Sequence, residues 1–211
     1  MNQKITIAIN REYGSGGRTI GEMLADDLGV HYYDKEILKI ASVVSGINEA
    51  LFNNADEMNR KTPIFRPVRN AGHDELIPPD SNDFTSDQNL FNYQAKVIRE
   101  LCERESCVIV GRCAGSILRE YPNVVRVFIH APKPFLLEQA AKKKSLPPKE
   151  LEKFVEKTNR RRAEYTEFYT GEKWIDAHNY DLCLDSSKLG FEKCVQIIKG
   201  YMKVRFDGLT F

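Results

Sequence analysis

Gly14, Ser15, Gly16, Gly17, Arg18 and Thr19 stand between an apolar stretch, Ile5 to Asn10, and a helical pattern that begins at Arg18. Glycine reaches backbone angles closed to other residues, so successive N–H groups can turn toward one point while the next helix offers its positive end. That is the chemistry of an anion cradle. Against the P-loop pattern G-x-x-x-x-G-K-[ST], Gly17, Arg18 and Thr19 take the last Gly, the Lys and the hydroxyl position, while Glu12 stands where the first Gly belongs. An arginine there neutralises phosphate with a planar fork rather than a point charge. The same residues also suit a plain strand-to-helix turn that holds no ligand.

Two further cations have the right surroundings for phosphate chemistry. Arg112 follows the apolar run Val108 to Val110 and Gly111, at the kind of strand end where α/β sheets place ligands. It is a candidate for a second phosphate, or a partner for a surface carboxylate. Arg160, Arg161 and Arg162 lie in a helical pattern, and Arg162 is the candidate to stabilise the spread charge of a transferring phosphoryl group. Otherwise such a run is a solvated face. Asp34 ends the second strand at the same edge, where it either orients a ribose, a base or a hydrated metal, or caps the helix that follows. The four histidines are scattered without ligand spacing, so no zinc site is expected. Cys113 has no histidine in its own segment, which makes a thiol nucleophile the weakest of the enzyme readings.

The elements that must carry these residues alternate. Strands are expected at Ile5–Asn10, Val30–Tyr33, Cys107–Val110, Val124–His130 and Tyr180–Leu184, with helical spacing between most of them, so the fold class is α/β with a parallel sheet. The first helix, Arg18 to Leu28, carries Ile20, Met23, Leu24 and Leu28 on one face and stops at Gly29. Asp34 is expected to cap a second helix through Ile37, Leu38, Ile40 and Ala41. Further helices are expected over Gln88–Arg104 and, as a basic helical lid within 146–170, over Lys149–Tyr169. Residues 59–87, with Pro63, Pro67, Pro78 and Pro79, read as a flexible insertion. One domain over 1–211 accommodates all of this.

Composition narrows the partners. Lys and Arg number 31 against 30 Asp and Glu, a formal net charge of +1, which gives no field for nucleic acid or an acidic membrane surface. The chain opens on a strand rather than a leader and has no long apolar run, so a soluble cytoplasmic protein is expected. Five cysteines without a C-x-x-C pair read as reduced, with Cys107 and Cys183 in the core. Aromatic residues from Tyr165 to Tyr169 leave room for a homo-oligomer.

Taken together, Asn10 to Gly21, Tyr33 to Glu36, Val108 to Ala114 and Arg162 to Thr170, in that order and followed by Tyr180 to Ser186, resemble the cytidylate kinase-like family, a nucleoside monophosphate kinase branch of the P-loop fold. The resemblance implies a five-stranded parallel sheet with helices on both faces, an inserted monophosphate-binding segment and an arginine-rich lid. It implies phosphoryl transfer from ATP with Mg²⁺: Gly14 to Thr19 around the donor phosphates, Arg18 for the P-loop lysine, Thr19 at the metal, Asp34 and Arg112 on the acceptor side, and Arg162 over the transferring group. The chain departs from the family pattern at Val110 and Cys113, where carboxylates flank the Gly-Arg pair, and at Asn159, where the lid motif starts with Asp. Cytidylate is the first acceptor to expect. A kinase for another small metabolite and a nucleotide-binding sensor without turnover are the alternatives.

Overall fold

The computed structural model describes residues 4–56 and 76–206. Among them, β1 (Thr6–Arg11), β2 (His31–Tyr33), β3 (Cys107–Val110), β4 (Val124–His130) and β5 (Leu182–Asp185) form one fully parallel sheet in the order β2-β3-β1-β4-β5. The helices are α1 (Gly17–Leu28), α2 (Glu36–Ser45), α3 (Glu49–Ala55), α4 (Asp87–Arg104), α5 (Ala114–Ile117), α6 (Lys133–Ala141), α7 (Pro148–Thr170), α8 (Ser186–Leu189) and α9 (Phe191–Arg205). The five expected strands and the parallel α/β sheet are therefore all present, with boundaries shifted by a residue or two.

The strand alternation sorts the interior into two layers. Ile5, Ile7 and Ile9 join Val108, Val110, Val125 and Val127 against Ile20 and Leu24 of α1 and Ile198 and Met202 of α9. Ala8, Cys107, Ile109 and Val124 face the other way, onto Ile37 and Leu38 of α2 and Phe91, Ile98 and Leu101 of α4. Central strands that are apolar on both faces are the mark of a covered parallel sheet. α1 ends at Gly29 in the left-handed region, φ 62°, as expected of a helix-terminating glycine.

Two expectations are overturned. Among the described residues Cys183 is exposed, and β5, which carries it, is an edge strand of the sheet. Tyr165 and Tyr169 are buried rather than free for self-association. They lie on a stripe of α7 that faces α4, where Tyr169 stacks on Phe91 with ring centres 4.1 Å apart. Residues 57–75 lie outside the described residues, so the 59–87 segment is described only from residue 76. There the fully buried Asn89 accepts from the Ile77 N–H at 2.9 Å and donates to the Phe84 and Ile77 carbonyls. This stretch is thereby fastened to the first turn of α4.

Candidate active site

The loop after β1 is built as a tight cradle. Gly14 and Gly16 have φ of 89° and 81°, and Gly16 stands directly before α1. A Cβ on Gly14 would collide with the Leu136 carbonyl oxygen, and one on Gly16 with the Phe191 ring. The Ser15 hydroxyl donates to the Glu12 carbonyl at 2.9 Å, and the Ser186 hydroxyl donates to the Ser15 carbonyl at 2.7 Å, so the loop is pinned from β5's end. The first-turn N–H groups of Gly17, Arg18 and Thr19 have no acceptor within the helix. N–H groups so arranged at a helix N-terminus are able to hold an anion.

Glu12 fits the position of the missing glycine because its carboxylate turns away from the cradle and accepts from the Ala131 N–H at 3.1 Å. Burial raises its carboxyl above the usual range, while the Ala131 bond and nearby His130 pull it back. Glu12 thus braces the end of β4 against the loop.

Charges gather where β1, β2 and β3 end. Asp34 lies between two arginines: Arg112 Nη1 donates to Oδ1 at 2.6 Å, and Arg18 Nη2 donates to Oδ2. Arg112 continues to Asp56 Oδ2 at 3.2 Å and to the Val110 carbonyl, and only 1% of it is exposed. Burial alone would raise the Asp34 carboxyl, but Arg112, Arg11 and Arg18 together hold it below the ordinary carboxylate range. The expected role of Asp34 as a helix cap is therefore corrected: Lys35 occupies the cap of α2, and the Asp34 carboxylate is committed to arginines. Gly111, Arg112 and Cys113 all have left-handed backbones, φ 80°, 54° and 56°. This uncommon turn directs the Arg112 side chain inward beneath the sheet edge. The Cys113 thiol is enclosed against Thr166, so it is not presented as a nucleophile.

Arg11, the last residue of β1, completes the group. It is buried, and its guanidinium lies against Gly111, where a Cβ would strike it and where the left-handed backbone favours glycine. Sequence reasoning passed it over, because an arginine ending an apolar strand resembles any surface charge. The close Gly111 was the available signal.

α7 closes the site from above. Leu151, Val155, Thr158, Arg162, Tyr165 and Tyr169 form its buried stripe, so Arg162 points inward while Arg160 is exposed. Arg162 Nη1 donates to the Arg11 carbonyl at 2.9 Å. Asn159, on the same helix face, accepts from the Tyr13 N–H at 2.7 Å. Of the expected site residues, Gly14 to Thr19, Arg18, Asp34, Arg112 and Arg162 all lie at one sheet edge. Arg112, however, is enclosed behind Asp34 rather than open to the cradle. Among the described residues no cluster of three or more His, Cys, Asp or Glu side chains offers a metal cage, and no helix is long and apolar enough to cross a membrane.

Comparison with known proteins points the same way. The model of the cytidylate kinase-like family matches residues 6–188. A cytidylate kinase of Methanosarcina barkeri is 27% identical over 191 residues, covering 88% of this chain and 89% of that protein. A cytidylate kinase of Thermosipho melanesiensis is 27% identical over 140 residues, 59% of this chain and 63% of its own. Among solved structures, an uncharacterised protein of Eubacterium ventriosum superimposes with a TM-score of 0.69 at 27% identity, over 95% of this chain and 99% of that one. A shikimate kinase of Bacteroides thetaiotaomicron, with a TM-score of 0.53 at 15% identity over 94% and 98%, shares the fold.

Proposed function

The chain belongs to the cytidylate kinase-like family and is a phosphotransferase, and from that footing we propose that it moves the γ-phosphoryl group of ATP to a nucleoside monophosphate, cytidylate first. The observation that carries this reading is the gathering of Arg11, Arg18 and Arg162 beside the glycine cradle at the C-terminal edge of a parallel sheet, with Arg11 against Gly17, Arg18 in the first turn of α1 and Arg162 on the Arg11 carbonyl. In it, an acceptor phosphate oxygen attacks the γ-phosphorus, ADP leaves, and no covalent enzyme intermediate forms.

The donor phosphates rest on the backbone of Gly14 to Thr19, where glycine alone fits at Gly14 and Gly16. Arg18 stands half-exposed in the first turn of α1, within reach of those phosphates once it lets go of Asp34. Arg162 supplies charge to the transferring group from the other side, and transfer of this kind is driven chiefly by positioning and neutralisation. Arg112 acts through Asp34, holding its carboxylate in place for the acceptor. Mg²⁺ fits an edge where, among the described residues, no cluster of three or more His, Cys, Asp or Glu stands, because it takes few protein ligands and binds largely through nucleotide oxygens and water. Thr19 would hold it, and the ion would supply neutralisation of the β- and γ-oxygens.

The test is incubation with Mg-ATP and each nucleoside monophosphate in turn, read by ³¹P NMR. New diphosphate signals with cytidylate above the others are expected. ATP binding with no diphosphate from any acceptor would overturn the reading in favour of a sensor or of a different small acceptor.

A further inference from the structure

We infer that Tyr13 and Asn159 are a positioning pair that hooks α7 onto the phosphate cradle and so sets Arg162 for the transfer step, an inference that rests on the phosphoryl-transfer reading above. Tyr13 lies in the loop between Arg11 and Gly14, and its backbone N–H donates to Asn159 Oδ1 at 2.7 Å across 146 positions of sequence. Its ring meets Phe154 edge to face, with centroids 5.1 Å apart and planes at 85°. Arg162, three positions after Asn159, donates to the Arg11 carbonyl at 2.9 Å. Residues three apart share a helix face. One face of α7 thus grips the Arg11 carbonyl at the end of β1 and the Tyr13 N–H two residues on, while Phe154 meets the Tyr13 ring.

Helix α6, which packs against α7, is joined to the same loop. The Gly14 backbone sits so close to the Leu136 carbonyl of α6 that no side chain fits between them. Lys133 of α6 pairs with Glu152 and Glu156 of α7 at 2.5 and 2.7 Å. Ala131, Leu136, Ala140, Leu151 and Val155 form a small apolar cluster between the two helices, with Tyr13 packed against it. Helices α6 and α7 are therefore fastened to the cradle, and the Tyr13–Asn159 bond, beside the Arg162–Arg11 bond, ties the donor loop directly to the turn of α7 that carries Arg162. An arginine side chain has many rotors, so its position relative to a transferring group depends on such a backbone anchor. An asparagine oxygen serves here without charge, and an aspartate oxygen accepts the same N–H.

The experiment compares wild type with Asn159→Ala and Asn159→Asp by steady-state kinetics and by amide exchange with and without Mg-ATP. Asn159→Ala is expected to lower kcat roughly tenfold, the scale of one hydrogen bond realised in the transition state, with KM for ATP within about twofold. Asn159→Asp is expected to recover most of the loss. In exchange, the Tyr13 amide becomes at least about fivefold faster in Asn159→Ala. ATP slows exchange in both the cradle and residues 158–163 of the wild type, but only in the cradle of the alanine variant. A kcat unchanged in Asn159→Ala, a KM effect alone, or no rescue by aspartate would overturn the inference. If the wild type transfers phosphate to no acceptor, the phosphoryl-transfer reading fails, and the exchange measurement still decides the hook. Equal Tyr13 exchange in wild type and Asn159→Ala refutes it with or without nucleotide.

Discussion

Replacing Asp34 by asparagine tests the charge arrangement under the cradle. The substitution keeps size and shape and removes one charge, so its effect reads the ion pairs and little else. Arg112 has 1% of its surface exposed and two carboxylate partners, Asp34 at 2.6 Å and Asp56 at 3.2 Å. Removing one partner of a buried pair costs about 3–5 kcal/mol when the remaining charge is left alone. Here Asp56 stays, and the amide oxygen of asparagine can still serve one arginine, so the lower end applies, about 3 kcal/mol. For a chain of this length that corresponds to roughly 6–12 °C in Tm. Because the folded carboxyl titrates below its ordinary value of 3.8, the stability it contributes is fully present above that pH and is lost as pH falls through the folded value. Urea denaturation of wild type and Asp34→Asn across pH 3 to 8 is the assay. The gap should be constant at neutral pH and should narrow as the pH falls below the ordinary carboxylate value. A gap under about 1 kcal/mol at pH 7, or one as wide at pH 3 as at pH 7, would refute the reasoning.

Gly14→Ala should cost about 2–4 kcal/mol in urea denaturation, because it adds a left-handed strain to a collision with the Leu136 backbone, whereas Gly29→Ala, left-handed but with open space around it, should cost only about 1–2 kcal/mol. Equal costs would mean that the cradle is not packed as described. Arg18→Ala should lower kcat by about 10²-fold or more while shifting Tm little, since the residue is half-exposed, and near-native turnover would remove it from the site. Titration of the native protein with a thiol reagent should modify Cys183 alone of the five cysteines, the others being buried, and all five after denaturation. Rapid native modification of a second thiol would show that the core around Cys113 opens readily.

The framework was legible because its signals are local or periodic. The branched apolar alternation of β1 and β4, the glycine after α1 and the glycine-rich turn each declare themselves within a dozen residues. What escaped reading depends on partners far along the chain. Asp34 looked like a cap because capping is judged from the next three residues, whereas its carboxylate meets Arg112, 78 positions away. Cys183 has a core-like neighbourhood in sequence, but membership of an edge strand depends on what failed to pair beyond it. Arg162 could be told from Arg160 by periodicity: it falls on the stripe from Leu151 through Val155 to Tyr165 and Tyr169, all buried in the structure. The same stripe carries Tyr165 and Tyr169 inward, against the expectation that they are free for self-association.

The choice of arginine at position 18 follows from the same geometry. A lysine in the first turn of α1 would place one compact charge near the cradle. The arginine fork reaches back to Asp34, and through it to Arg112 and Asp56 at the end of α3. Three guanidinium groups, Arg11, Arg18 and Arg112, stand against two carboxylates and leave one net positive charge at the end of the three strands. A dianionic phosphate brings that total to one net negative charge, so its arrival changes the balance that holds Arg18 on Asp34. Each charge added at the cradle draws on Arg18, and each charge Arg18 gives up at Asp34 falls on Arg112. On the phosphoryl-transfer reading proposed above, donor and acceptor sides would be coupled through one carboxylate, which is why neutralising Asp34 should disturb stability and transfer together, whereas removing the half-exposed Arg18 should disturb transfer alone.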